Sequence, residues 1–317
     1  MKSPFGASIQ EADIAIIGGG IAGASAAYEL AAVSSVILLE RESHCDCHST
    51  GRSAASFTEN YGNGIIRRLA IASRSFLEAP PEGFCDHPLM LARGMLTIAR
   101  QDQLGRLEEE LERARQFVPS IHRVSPGEAL ARVPVLRRIA ALAKVAPIGL
   151  VPKRRTAFHV AAPDGLSIAG WPLVNDAGEE FYFKPDAGRI FVSPADATPS
   201  EPTDAYPVDF DVAVGVDRLQ RATTIDVRRI EHQWAGLRSF VRDASPVVGF
   251  DAEAEGFFWL AGQGGYGIKT SPALARACRD LIRTGRLPDE LLRQGIEAGD
   301  LAPGRIGATS AQEEKAP

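Results

Sequence analysis

The amino-acid sequence predicts an α/β protein in which a parallel, nucleotide-binding sheet is joined to a second domain built on a mixed or antiparallel sheet. Three observations carry this. The apolar run Ile14-Ala15-Ile16-Ile17 ends in glycines and is followed by a small-residue stretch and a second apolar run, Val36 to Leu39, the order of a βαβ unit. Further on, Glu179 to Lys184 and Arg189 to Ser193 flank Pro185-Asp186-Ala187-Gly188, a hairpin signal that belongs to antiparallel pairing. A chain of 317 residues is also long enough for about two domains.

In chain order, Ile14–Ile17 and Val36–Leu39 read as buried strands, with Gly20 to Ala32 as the helix between them. Residues 41–65, rich in Ser, His, Gly and Asn, read as a long loop with short helical pieces. Gln103 to Phe117 reads as a surface helix, with Leu104, Leu107 and Leu111 along one side and Glu108-Glu109-Glu110 on the solvated one; Glu109 and Arg113 are spaced to pair. Arg155 to Ala161 is a strand. In the hairpin, alternation puts Phe181 and Phe183 on one face and Tyr182 on the other, and the turn is read as type I. Asp196 to Thr203 reads as an exposed connector. Phe257 to Ala261 reads as a third buried parallel strand; Thr270-Ser271-Pro272 then caps and opens a helix reaching about Arg283. The implied division is discontinuous: residues 1–80 with 236–300 for the nucleotide domain, 81–235 for the second domain, and 301–317 as a disordered tail.

Composition removes several function classes. A net charge of −5 argues against a nucleic-acid binder held by phosphate contacts. With 45% hydrophobic and 24% charged residues, large-scale disorder is not expected. Four cysteines do not make a disulfide framework. The residues before Asp13 develop no apolar core of a signal peptide, and the stretch from Asp13 to Leu39 is broken by glycines and Glu29, so neither a leader nor a transmembrane segment is expected, and a cytoplasmic protein follows. His44-Cys45-Asp46-Cys47-His48 looks like a metal cluster, but neighbouring residues cannot easily all turn to one ion and no second Cys or His pair has zinc spacing; no metal is expected.

Gly18-Gly19-Gly20-Ile21-Ala22-Gly23 fits G-x-G-x-x-G in its required context, after a strand, opening a helix, with the acid Glu40 at the end of the next strand. Gly18 permits the tight turn, Gly20 lets backbone approach a pyrophosphate on the helix N-terminus, and Gly23 lets helix pack on strand. Glu40 can accept from both ribose hydroxyls. This Rossmann-like fingerprint does not decide between NAD and FAD.

His48-Ser49-Thr50-Gly51-Arg52-Ser53-Ala54-Ala55, after Glu40-Arg41-Glu42, resembles the segment that follows the ribose acid in the D-amino-acid oxidase-like family of FAD oxidoreductases. Gly262 to Ile268 resembles that family's second flavin segment. Gly83 to Pro88, Val133 to Arg138, Pro152 to Arg155, Phe181 to Gly188 and His232 to Phe240 are similar to its D-arginine dehydrogenase branch. Relative to the family, a segment of about 75 residues, roughly half a typical domain, is absent between Arg138 and Ile139, so the resemblance implies an incomplete parallel sheet.

The resemblance implies FAD as cofactor and hydride transfer from the α-carbon of a D-amino acid to flavin N5, with a quinone, other carrier or O2 as final electron acceptor, a dehydrogenase being favoured over an oxidase. It implies Arg238, Arg155, Tyr182 and Tyr61 as the grip on the substrate carboxylate. For the cofactor it implies Gly18, Gly20, Ile21, Ala22, Gly23, Glu40, Arg41, His48, Thr50, Arg52, Ser53 and Ala54, together with Gly264, Gly265, Tyr266, Gly267, Ile268 and Lys269; Lys269 and the helix N-terminus would stabilise the anionic reduced ring. Ser56 and Met95 stand where the arginine-specific branch has a histidine and a guanidinium-reading acid, which implies apolar side chains in the substrate. Two alternatives stay open: an enzyme acting on glycine-like or N-methylated amino acids, and a decayed homologue that no longer binds flavin.

Overall fold

The computed structural model describes residues 11–99, 103–133, 151–201, 203–251 and 255–306. β1 (Ile14–Ile17) and β2 (Val36–Leu39) pair in parallel, from Ile14↔Val36 to Ile17↔Leu39. α1 (Ile21–Ala31) crosses between them. A Cβ on Gly23 would collide with the Gly18 carbonyl oxygen, so only glycine lets this crossover close. α2 (Gly64–Glu78) starts at Asn63, whose side chain accepts from Ile66 N at 3.0 Å. β3 (Met95–Ile98), α3 (Leu104–Arg115) and α4 (Pro126–Arg132) follow. On α3, Arg113 pairs with Glu110 at 3.2 Å rather than with Glu109, an i,i+3 partner instead of the i,i+4 one.

β4 (Val151–Val160), β5 (Leu173–Asp176), β6 (Tyr182–Asp186), β7 (Arg189–Ser193), β8 (Thr198–Pro199), α5 (Asp209–Ala222) and β9 (Ile230–Phe240) complete a seven-stranded mixed sheet. Its order is β3-β5-β6-β7-β4-β8, with β9 along the other side of β4. β3 pairs β5 in parallel and the remaining pairs are antiparallel. Phe158, Phe183, Ile190, Val192 and Leu219 form its core. Phe181 and Phe183 stack on that side, leaving Tyr182 to the opposite face. β9 runs unbroken across residues 235 and 236, paired to β4 on both sides of them, with one register shift near its start at His159/Val160.

Several expected features differ. The β6–β7 turn is a two-residue turn in which Ala187 and Gly188 both have positive φ, 47° and 79°, because that geometry, and not type I, matches the twist of a tight hairpin. Asp196 to Thr203 is not simply an exposed connector. Thr198–Pro199 pairs with β4, and Asp196 turns inward to accept from Thr156 N at 2.6 Å. β10 (Val247–Phe250) and β11 (Phe258–Ala261) form an antiparallel pair, so β11 is not a third parallel strand; so short a connection can close only a hairpin.

α6 (Gly267–Thr284) begins a turn and a half before the expected cap, with Pro272 inside it. The Ile268 carbonyl that Pro272 cannot bond accepts from Ser271 Oγ at 2.9 Å, so the ladder survives. α7 (Asp289–Arg293) follows, and the chain past Asp300 continues in order through a single 3-10 turn, Pro303–Ile306. Leu301 is fully buried and Arg305 pairs with Asp243 at 2.8 Å, which anchors what composition suggested was tail. Leu30, Leu69, Leu274, Leu291, Ile296 and Leu301 form a second core, under β1 and β2.

The far face of β1 and β2 is bare: Ile17 is 86% and Leu39 52% exposed, whereas parallel sheets are ordinarily covered on both faces. Among the described residues this sheet has two strands. Residues 134–150, which contain the expected break between Arg138 and Ile139, and residues 307–317 lie outside the described residues.

Candidate active site

A cavity of about 250 Å³ opens between the start of α1, the loop at 49–54, one face of the mixed sheet and the segment from Leu260 to Ile268. It gathers Gly20, Ile21, Ala22, Thr50, Arg52, Ser53 and Ala54 with Arg155, Tyr182, Arg238, Gly264, Gly265, Gly267 and Ile268. A wider surface groove between α5 and β9 meets none of these residues.

At one end lies the glycine turn. Gly18 has φ +98°, open to glycine, and donates to the Leu39 carbonyl at 2.8 Å. Gly20 caps α1 with no side chain of its own, and Ile21 N donates to Thr50 Oγ1 at 3.0 Å. The Glu40 carboxylate accepts from Gly19 N at 2.7 Å and Glu42 N at 3.0 Å; the Glu42 and Gly19 bonds hold its pKa below the usual carboxylate value. An ionised acid is thereby aimed from the end of β2 beside the turn. Arg41 and His48 face outward instead, meeting Glu42 at 2.7 Å and 3.1 Å. Arg52 turns inward, donating to the carbonyls of Ala205 and Ala235 and pairing with Asp204 at 2.6 Å. Ser49 Oγ donates to the Leu237 carbonyl at 2.5 Å, and the loop is thus fastened to β9.

At the other end, Arg155 lies across from Gly236 and Arg238 across from Lys153, so alternation sets both arginines on one sheet face. Tyr182 shares that face, and Arg238 Nη2 donates to its hydroxyl at 3.5 Å. Burial raises the Tyr182 pKa, but Arg238, Arg155 and a hydrogen bond with Ser193 together outweigh it and leave the phenol below its ordinary value. The glycines of the second flavin-like segment have distinct reasons. Gly264 has φ +54° and a Cβ there would collide with the Phe240 ring; a Cβ on Gly265 would come within 2.8 Å of Arg238 Nη1. Gly264 N donates to the Ser239 carbonyl at 2.9 Å, laying the segment flat on β9.

Tyr61 and Tyr266 pack edge to face, 5.5 Å apart, behind Arg155 and Arg238, and burial pushes both phenols up. Lys269 is 5% exposed and does not line the cavity. Its ammonium donates to the carbonyls of Thr58 and Tyr61, and burial, then Arg67, pushes it down to about 7. Ser56 and Met95 do not line the cavity either. Sequence reasoning missed Phe191, Ala157, Gly236 and Gln263 in its wall; position on the Arg155 and Arg238 strands was the available signal for Ala157 and Gly236.

Among the described residues neither Arg155 nor Arg238 has a carboxylate partner within ion-pair distance, and no acid lines the cavity. Arg155 Nε and Gln263 Nε2 are buried donors without an acceptor. The cavity is therefore a donor-rich, cationic site suited to an anion and to a ligand with ring acceptors. In the loop after Glu40, Cys47 lies against His44 at 2.6 Å, and among the described residues no three His, Cys, Asp or Glu side chains converge as metal ligands.

A family model described as FAD dependent oxidoreductase matches the chain in two stretches, residues 13–143 and 139–281. FAD-dependent oxidoreductase domain-containing protein 1 of Xenopus laevis is 25% identical over 140 residues, 42% of this chain and 28% of that protein. Its Bos taurus counterpart is 22% identical over 140 residues, 42% of this chain and 29% of that protein, so the chain spans less than a third of the curated relatives it matches. Among solved structures, glycine oxidase from Geobacillus kaustophilus superposes with a TM-score of 0.67 at 19% identity, covering 86% of this chain and 94% of that one. Iminodiacetate oxidase from Chelativorans sp. BNC1 gives 0.67 at 18% identity, with 85% and 95% covered. L-proline dehydrogenase from P. horikoshii gives 0.66 at 16% identity, with 88% and 95% covered. These likenesses establish the fold. With the family model spanning most of its length, the chain belongs to the DAO family of FAD-dependent oxidoreductases.

Proposed function

We propose that the protein oxidises D-amino acids with apolar side chains to imino acids, which water hydrolyses to 2-oxo acids and ammonia. The observation that carries this is the pair of arginines on one sheet face, in a cavity that no carboxylate lines among the described residues. A substrate carboxylate accepts from the Arg238 fork and from Arg155, with the Tyr182 hydroxyl as a further donor. That grip fixes the α-carbon in one place, which is where most of the protein's own rate contribution would arise. Among the described residues no acid lines the cavity to read a guanidinium or ammonium side chain, which supports apolar substrates.

The residues present fit FAD. The orphaned donors Arg155 Nε and Gln263 Nε2 match ring acceptors, and the bare glycine turn admits a pyrophosphate. Gly18, Gly20 and Gly23 with α1 would hold the pyrophosphate, Glu40 the ribose, and the 50–54 loop with Gly264 to Ile268 the flavin end. When bound, FAD supplies the hydride acceptor. We assign residues 1–80 with 236–300 to the FAD domain and 81–235 to the substrate domain, and favour a quinone or other carrier over O2. The bare face of β1 and β2, and a family match whose two stretches meet at 139–143, support a missing inner segment after Arg138. The four free cysteines support a reducing compartment such as the cytoplasm.

The test is anaerobic reduction of the FAD-reconstituted protein, followed by flavin absorbance, with D-Leu, D-Met, D-Phe, D-Arg, L-Leu, glycine and sarcosine. The proposal expects one of the apolar D-amino acids to be fastest. Faster reduction by D-Arg would refute the apolar preference. Reduction by glycine or sarcosine alone, by L-Leu, or by none of the panel would refute the reaction.

A further inference from the structure

Residues 58 to 62, which carry Tyr61, form a turn at Glu59 and Asn60 and belong to no helix or strand. Two cations hold the carbonyls of this segment. Arg67 on α2 donates from Nε to the Gly62 carbonyl at 2.9 Å. Lys269, in the first turn of α6, donates to the Thr58 carbonyl at 3.0 Å and the Tyr61 carbonyl at 2.7 Å. Its ammonium also lies 5.6 Å from the Tyr61 ring centre and 5.2 Å from that of Tyr266. No carboxylate pairs with Lys269 among the described residues: Glu59, the nearby acid, is taken by Arg74 at 3.0 Å. A buried ammonium without a counter-ion is costly, and an apolar side chain would fill the same space more cheaply. The carbonyls it grips belong to the loop of one residue with a reason to be placed, since the Tyr61 phenol lies within electrostatic reach of Arg155, Arg238 and Tyr182.

We propose that Lys269 is a positioning residue for Tyr61: through the Thr58 and Tyr61 carbonyls it sets the phenol toward the two arginines, and it does not act on the flavin directly. This rests on the reading of Arg155, Arg238 and Tyr182 as the carboxylate grip. It replaces the expectation that Lys269 stabilises the reduced ring.

The experiment compares Lys269→Met, Lys269→Gln and Lys269→Arg, each alone and with Tyr61→Phe, in the FAD-loaded protein. The Asn60 amide, which donates to Thr58 Oγ1 at 3.2 Å inside this segment, should exchange about tenfold faster in Lys269→Met, the scale of one lost hydrogen bond, and should recover in Lys269→Arg. KM for the amino acid should rise about tenfold with kcat changed much less, as for lost uniform binding. The rise should vanish when Tyr61 is already Phe. Unchanged exchange at Asn60, or an equal KM penalty in both Tyr61 backgrounds, would overturn the proposal. So would a shifted flavin spectrum or reduction potential in Lys269→Met, which would return the lysine to the ring. The exchange measurement needs no turnover, so it decides the lysine's role even if the amino-acid reading fails on the substrate panel.

Discussion

Replacing Arg238 by Met removes one guanidinium from the carboxylate grip and leaves a side chain of similar stem length against Gly265. The structure sets the magnitude. Arg238 has a weak 3.5 Å contact to the Tyr182 hydroxyl and no carboxylate partner among the described residues, so its removal strands no buried charge. Thermal stability should therefore hold. What is lost is a charge-assisted fork to the substrate carboxylate, with Arg155 remaining as partial compensation, a net of about 2–4 kcal/mol. That is about a 30- to 900-fold fall in kcat/KM. The assay is anaerobic stopped-flow reduction by whichever D-amino acid is fastest, with flavin content measured in parallel and expected unchanged. Wild-type kinetics at full flavin occupancy would refute the assignment. Loss of flavin instead of substrate affinity would show that Arg238 holds the cofactor.

Two further predictions concern stability. Burial, then Arg67, pushes Lys269 down to about 7, so the folded state binds fewer protons than the unfolded chain between that pH and the ordinary lysine value. Sign and window follow: the cost of the buried ammonium is full below pH 7 and fades as pH rises, so Lys269→Met should gain most in unfolding free energy relative to wild type at pH 6 and least near pH 10, by up to a few kcal/mol at ~1.4 kcal/mol per pKa unit. A difference independent of pH would refute it. Separately, the bare face of β1 and β2 should make the chain bind FAD substoichiometrically and melt early, and a family-like segment inserted between Arg138 and Ile139 should raise both flavin occupancy and Tm. Tight stoichiometric flavin in the chain as it stands would refute that.

Local chemistry was legible where the sequence states it locally. The turn from Gly18 to Gly23 needs glycine for reasons of backbone conformation and close packing, and Glu40 ends a strand of known period, so the first βα unit could be placed almost to the residue. The alternation of Phe181, Tyr182 and Phe183 likewise sorted core from cavity before any coordinates. The hairpin turn was misread because Ala187 is an unusual choice for a positive φ, and the start of α6 because Ser271 Oγ repairs the defect that Pro272 makes.

By itself, then, the sequence determined the βαβ unit and the glycine positions, since these depend on neighbours within a few residues, whereas the candidate arginines came from the family resemblance. Only the tertiary structure decided that β11 returns on β10 instead of joining the parallel sheet, that Leu301 is anchored, and that Lys269 faces carbonyls rather than the cavity. The last of these depends on which surfaces meet across about 200 residues of chain, between Lys269 and Tyr61. A residue's own propensity carries no record of so distant a partner, and burial, which sets both the charge state of Lys269 and the loneliness of the two arginines, exists only once the partners have come together.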